Sequence, residues 1–105
     1  MPLRGKKLGL LISVAPGHPN FNRSVRLAET ALERGVDVYL YCVDAAVEGL
    51  DDPAVQRLKI GGLKLFACAY GAQRRSISAG EQATFGGLTI VSELISATDR
   101  FVSFN

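Results

Sequence analysis

The chain has 105 residues, a hydrophobic content of 48% and a nearly balanced formal charge of +2. This length suits one domain covering residues 1–105, and this apolar content excludes an intrinsically disordered protein. The small net charge argues against a dedicated nucleic-acid binder, which would carry a strongly basic face.

The longest apolar run, residues 8–14, is too short to span a bilayer. Basic residues precede it, as in a signal peptide, but the proline-rich segment 16–20 follows without a small-residue cleavage site. We therefore expect a cytoplasmic protein with no membrane partner. Cys42, Cys68 and the single histidine cannot supply four ligands for a structural zinc ion, so we expect free thiols and no metal.

The first half of the chain predicts a strand, a helix and a second strand. Residues 7–14 are mainly apolar rather than alternating, which is typical of a strand covered on both faces, and 15–20 is a loop. Apolar residues at three- and four-residue spacing predict a helix over 21–34, with Asn20 or Asn22 as its cap and Gly35 just past its end. The β-branched and aromatic run 36–43 predicts the second strand, completing a βαβ unit with parallel pairing.

The second half continues the alternation. After a turn over 44–50, Asp52 and Pro53 predict the cap and first residue of a short helix that ends at the glycine pair 61–62. A third strand at 63–68 and a helical turn at 70–75 follow. Residues 76–85 are polar, with a capping pattern from Ser78 to Glu81. Helical spacing returns over 88–97, and a last strand occupies 101–104.

This order predicts an α/β three-layer sandwich, with a small, mostly parallel sheet of four to five strands and helices on both faces. In open α/β sheets, reactive groups gather at the carboxyl ends of the strands. Cys68 ends the third strand, and Arg74 and Arg75 follow it within reach of the thiol. Cations beside a partly exposed cysteine favour a reactive thiolate, whereas an apolar setting favours a structural thiol.

Two further residues follow or end strands near this rim. His18 follows the first strand, so it is either the partner of Cys68 in a cysteine-dependent hydrolase or an exposed loop histidine between two prolines. Cys42 lies within the second strand and is predicted to be core. Neither GxGxxG nor GxxxxGK[ST] occurs, which argues against a nucleotide-binding loop.

Five segments resemble the DsrE/DsrF-like proteins, including the TusD-type subunits of bacterial sulfur-relay complexes. They are VAPG at 14–17, YCVDAAV at 41–47, ACAYGAQRR at 67–75, GLTIVSEL at 87–94 and TDRFVSF at 98–104. The resemblance covers nearly the whole chain. The chain departs from the family pattern at Gly71, Gln73 and Ser76, and at His18 and Pro19 in the first loop.

The resemblance implies a small α/β protein that assembles into trimers or hexamers, either homomeric or with related subunits. It implies a sulfur carrier or sulfurtransferase in which Cys68 accepts sulfane sulfur as a persulfide and passes it to a partner protein, without any cofactor. Arg74 and Arg75 are then candidate thiolate stabilisers. Some family members lack the cysteine, so a catalytically inert assembly subunit is the alternative, and the cysteine-dependent hydrolase is a weaker one.

Overall fold

The computed structural model describes residues 3–105, in which strands alternate with helices. In chain order the elements are β1 (Lys7–Ile12), α1 (Pro19–Glu33), β2 (Asp37–Cys42), a 3₁₀ helix (Asp44–Gly49), α2 (Pro53–Ile60), β3 (Lys64–Cys68), α3 (Ala69–Arg74), β4 (Thr84–Gly86), α4 (Leu88–Ala97) and β5 (Arg100–Phe104).

The strands form one sheet in the order β4-β3-β2-β1-β5, and every adjacent pair is parallel. The predicted α/β sandwich is therefore confirmed. The first three crossovers each move one strand in the same direction, whereas the last returns across the whole sheet from β4 to β5. Because such crossovers are right-handed, α4 lies on the face opposite to α1 and α2.

Successive side chains along a strand point to opposite faces of the sheet, so the buried strand residues are divided between these two faces. Leu10, Leu40 and Leu65 are register neighbours on one face, where they pack with the apolar stripes of α1 and α2. The predicted α1 stripe is confirmed, with Phe21, Ala28 and Ala31 buried and Val25 and Leu32 partly buried. Tyr41 points to the other face and is buried there beside the start of α4. Cys68 shares that second face, two residues beyond Phe66, the register partner of Tyr41.

The helix ends agree with the sequence except at the start of α1. Asp52 caps α2 by accepting a hydrogen bond from the Ala54 amide at 2.8 Å, with Pro53 as the first helical residue, as predicted. The prediction that α1 is capped by Asn20 or Asn22 is wrong. His18 is the cap and Pro19 the first helical residue, because the fixed φ of proline suits that position.

The segment before α4 also differs from the prediction. The pattern from Ser78 to Glu81 caps no helix, since this stretch consists of irregular backbone, bends and turns. Strand β4, which the sequence did not reveal, follows it and pairs with the end of β3. Among residues 3–105, no helix is long and apolar enough to cross a membrane.

Candidate functional site

Cys68 lies where β3 gives way to α3. It is the last residue of the strand and the N-cap of the helix, with an extended backbone at φ −69° and ψ 115°. Its Sγ accepts a hydrogen bond from the backbone N–H of Gly71 at 3.3 Å. The side chain is partly exposed. The thiol therefore combines solvent access with a fixed hydrogen-bond donor, an arrangement that would also serve a sulfur anion.

A cavity of about 330 Å³ opens beside this thiol, and we refer to it as the cysteine cavity. It is lined by Asp44, Cys68, Tyr70, Gly71, Arg74 and Arg75. Asp44 follows β2, and the other five residues belong to the end of β3 or to α3 and its C-cap. The structure thus brings together Cys68 and both predicted arginines, and it adds a carboxylate.

The charges around the cysteine cavity nearly cancel. Arg74 lies over the Tyr70 ring, with its guanidinium carbon 5.8 Å from the ring centroid. Arg75 Nε lies 3.4 Å from Glu48 Oε2 in a partly exposed ion pair, which contributes little to stability. Asp44 supplies the second negative charge. Arg74 is therefore the cation at this cavity whose charge no ion pair among residues 3–105 offsets.

Tyr41 lies next to the thiol, and no pattern in the sequence indicates this placement. Its fully buried hydroxyl donates to the carbonyl oxygens of Gly86 at 3.2 Å and Gly87 at 3.4 Å. Burial first, and then the charge and hydrogen bonding of the neighbouring Cys68 side chain, together raise the pKa of Tyr41 to about 12. A neutral phenol is thus fixed near Sγ throughout the physiological pH range.

The two remaining sequence candidates lie elsewhere. His18 is exposed, its Nδ1 accepts from the Asn20 amide at 3.1 Å, and it does not line the cysteine cavity. The structure therefore gives Cys68 no histidine base within that cavity. Cys42 is 1% exposed on the opposite face of the sheet, and burial raises the pKa of its thiol to about 12. Its predicted place in the core is confirmed.

The part of the chain that the structure describes contains no group of three or more histidine, cysteine, aspartate or glutamate side chains that could hold a metal ion. What this site can offer is a single accessible sulfur nucleophile, hydrogen-bonded by a backbone amide and flanked by two guanidinium groups, of which that of Arg75 is paired with Glu48.

Comparison with known proteins shows likeness in structure but not in sequence. No protein-family profile matches the chain, and no curated protein sequence matches it. The crystal structure of the ychN protein from E. coli superposes with a TM-score of 0.81 at 18% identity, over 94% of this chain and 99% of that one. BT1422, a conserved protein of unknown function from Bacteroides thetaiotaomicron, superposes with a TM-score of 0.74 at 18% identity, over 93% of this chain and 94% of that one.

At this level of identity the likeness shows the fold alone. The chain shares its α/β fold with both structures. The activity and the role of each residue in the cysteine cavity are separate questions.

Proposed function

We propose that this protein is a sulfur carrier, acting as a single domain, that accepts sulfane sulfur on Cys68 and passes it to a partner protein. The observation that carries the proposal is the placement of Cys68 at the carboxyl end of β3, partly exposed in a cavity. The resemblance of the sequence to the DsrE/DsrF-like proteins supports it. Such strand ends are where open α/β sheets place their reactive groups.

The chemistry needs one nucleophilic sulfur and no redox cofactor. The Cys68 thiolate attacks the terminal sulfur of a donor persulfide, so a new S–S bond forms, the donor S–S bond breaks, and the donor leaves as a thiolate. The terminal proton stays on the transferred sulfur or is lost to solvent. In the second step an acceptor thiolate attacks that terminal sulfur, and Cys68 leaves as the thiolate.

Three features of the cysteine cavity favour these steps. The Gly71 amide is directed at Sγ and can stabilise either a thiolate or a leaving thiolate. The Arg74 guanidinium attracts an anionic donor or persulfide. The cavity of about 330 Å³ leaves room for a second sulfur atom and the tip of a donor side chain. We assign Cys68 the role of persulfide acceptor and Arg74 the main electrostatic role, with Arg75 weakened by Glu48.

The test is persulfide loading measured by intact mass. The protein is incubated with a low-molecular-weight persulfide donor, and we expect a gain of one sulfur atom, reversed by dithiothreitol. Cys68→Ser should show no gain, whereas the matched variant Cys42→Ala should load like the unmodified protein, because Cys42 is buried on the other face. Loading that persists in Cys68→Ser, or fails in the unmodified protein, contradicts the assignment.

Transfer to an acceptor needs a second protein, so oligomers and partners belong to the proposal. We infer donor and acceptor proteins carrying cysteines, a trimeric or hexameric assembly with copies or related subunits, and a reducing compartment such as the cytoplasm. Arg74→Ala should load more slowly than the unmodified protein, and Arg57→Ala, which alters an exposed arginine away from this cavity, should not.

A second candidate, an assembly subunit without chemistry of its own, is favoured by the surface of α4. Leu88 and Ile95 are 74% and 54% exposed there, and they lie two turns apart on one side of the helix. Exposed apolar residues that are grouped in this way mark contact surfaces. If Leu88→Glu with Ile95→Glu dissociates an oligomer in sedimentation and Cys68 never loads, the assembly function replaces the carrier.

A further inference from the structure

A second and larger cavity lies at the opposite edge of the sheet from Cys68. Its volume is about 530 Å³, and we call it the basic cavity. Its lining includes four basic side chains, Lys6, Lys7, Arg34 and Arg100, and the Asp99 carboxylate. The lining residues come from the amino ends of β1 and β5 and the segments just before them, from the last two turns and C-cap of α1, and from the residue before β2. Nothing in sulfur transfer by Cys68 uses them.

The floor of the basic cavity is apolar because one face of α1 continues past the core. Leu27 and Ala31 are one turn apart on the helix, and both contribute to the lining together with Leu8 and Val36. Leu27 remains 36% exposed although it lies in the middle of this wall. An apolar floor of this kind, with a few polar groups at its rim, is the usual form of a small-molecule site of about 300–1,000 Å³.

The rim is strongly cationic. Four basic side chains line it against one carboxylate, which gives these five residues a formal charge of +3. Since the whole chain carries +2, its other charged side chains together carry −1. The positive charge of the protein is thus concentrated at this one cavity.

These cations form no ion pair within residues 3–105, where no salt bridge involves Lys6, Lys7, Arg34 or Arg100. The single carboxylate is held in place by the backbone, because Asp99 Oδ2 accepts from the Lys7 amide at 2.7 Å. That bond keeps one oxygen of Asp99 on the start of β1. The C-terminal end of α1 is the negative end of its dipole, but Arg34 is its C-cap and offsets this.

We propose that the basic cavity binds an amphipathic anion, with an apolar chain against Leu27 and Ala31 and an acidic headgroup among the four cations. Charge complementarity selects the headgroup, since a neutral or cationic amphiphile would leave these cations unmatched. The apolar chain of the ligand would cover the part of the Leu27 side chain that is now exposed to water. The ligand class is a medium-chain carboxylate or a phosphate monoester of similar shape.

The test uses decanoate below its micelle concentration, titrated into the full-length protein by calorimetry. We expect saturable 1:1 binding that weakens as salt is raised, because salt screens the exposed charges. Decyltrimethylammonium and decanol should bind about tenfold or more weakly, since the headgroup contacts are then lost. Amide shifts in a nitrogen–proton correlation spectrum should centre on Leu27 and Thr30.

Two matched double variants distinguish the rim charges from a general effect of the protein's net charge. Lys6→Glu with Arg100→Glu should weaken decanoate binding about tenfold or more, by reversing two rim charges. Arg26→Glu with Arg57→Glu makes the same change in net charge at exposed residues outside the cavity and should leave the affinity within about twofold, as surface sites away from the ligand do. Leu27→Ser should also weaken decanoate binding, because it removes apolar surface from the floor of the cavity.

Several results would overturn the proposal. They are no saturable binding at millimolar decanoate, equal binding of decanol, an equal loss in both charge-reversal variants, or amide shifts at another surface. Self-association that closes the cavity and competes with decanoate would assign it to a second copy instead. Cys68→Ser should bind decanoate normally, so failure of the sulfur-carrier function and failure of this proposal are separate outcomes.

Discussion

Removing the Tyr41 hydroxyl should destabilise the protein measurably, and the neighbouring tyrosine of the same strand provides the control. Tyr41→Phe keeps the ring and its packing but deletes the donor to the Gly86 and Gly87 carbonyls. The one hydroxyl proton is shared between them, so a single hydrogen bond is lost. Gly87 O still accepts from the Ile90 amide, so the Gly86 carbonyl is the one most affected.

The magnitude follows from these contacts. A neutral hydrogen bond contributes about 1 kcal/mol, and a buried carbonyl that loses a partner adds to the cost, so we expect Tyr41→Phe to lower the free energy of unfolding by about 1–2 kcal/mol. Tyr39→Phe should change it by less than about 0.5 kcal/mol. Tyr39 is only partly buried, and its contact with Lys64 Nζ, 5.2 Å from the ring centroid, needs only the ring.

Urea-induced unfolding followed by circular dichroism measures both changes. The midpoint should fall for Tyr41→Phe at an unchanged slope, whereas Tyr39→Phe should overlay the unmodified protein. Equal curves for the two variants would refute the inference that the buried hydroxyl ties β2 to the start of α4.

The remaining predictions concern pH and packing. Because burial raises the pKa of Cys42 to about 12 from an ordinary value near 9, the folded state holds this proton when the unfolded state has lost it. The free energy of unfolding should therefore fall as pH rises from 9 to 12, with Cys42 contributing about 1.4 kcal/mol per pH unit, and Cys42→Ala should show a shallower fall. Gly86→Ala places its new methyl against the Ile90 side chain and should cost about 1–2 kcal/mol. That cost should be smaller when Ile90 is replaced by Val. Urea denaturation of the two single variants and the double variant measures the coupling energy between positions 86 and 90, and additive costs would contradict the contact.

The elements that were predicted correctly are those whose signals are local. Residues 88–97 are helical as expected, because their apolar spacing is regular and glycine precedes them. The start of α1 was placed too late because two prolines and a glycine are typical of a loop, whereas Pro19 in fact opens the helix. Strand β4 has only three residues, so no alternation could reveal it, and only pairing with β3 defines it.

The residues of the candidate site also differ in whether a local sequence signal predicts them. Cys68 could be located because the end of a buried strand is visible in one sequence segment. Its surroundings depend on register, which the sequence does not specify. Tyr41 reaches the Cys68 side of the sheet only because it pairs with Phe66, and a shift of one residue would have turned Cys42 there instead. The rim of the basic cavity likewise exists only because β5 pairs with β1.

The long return from β4 to β5 has a consequence for how the fold opens. Both edge strands of the sheet lie in the final segment, residues 84–104, and α4 is the only helix between them. A fluctuation that releases α4 therefore loosens the two outermost strands together, although they are separated by the width of the sheet. Hydrogen exchange should then assign β4, α4 and β5 to one cooperative unit of lower protection, beside a more protected unit of β1, β2 and α1. In this arrangement the backbone next to Cys68 and the rim of the basic cavity would become mobile in the same event.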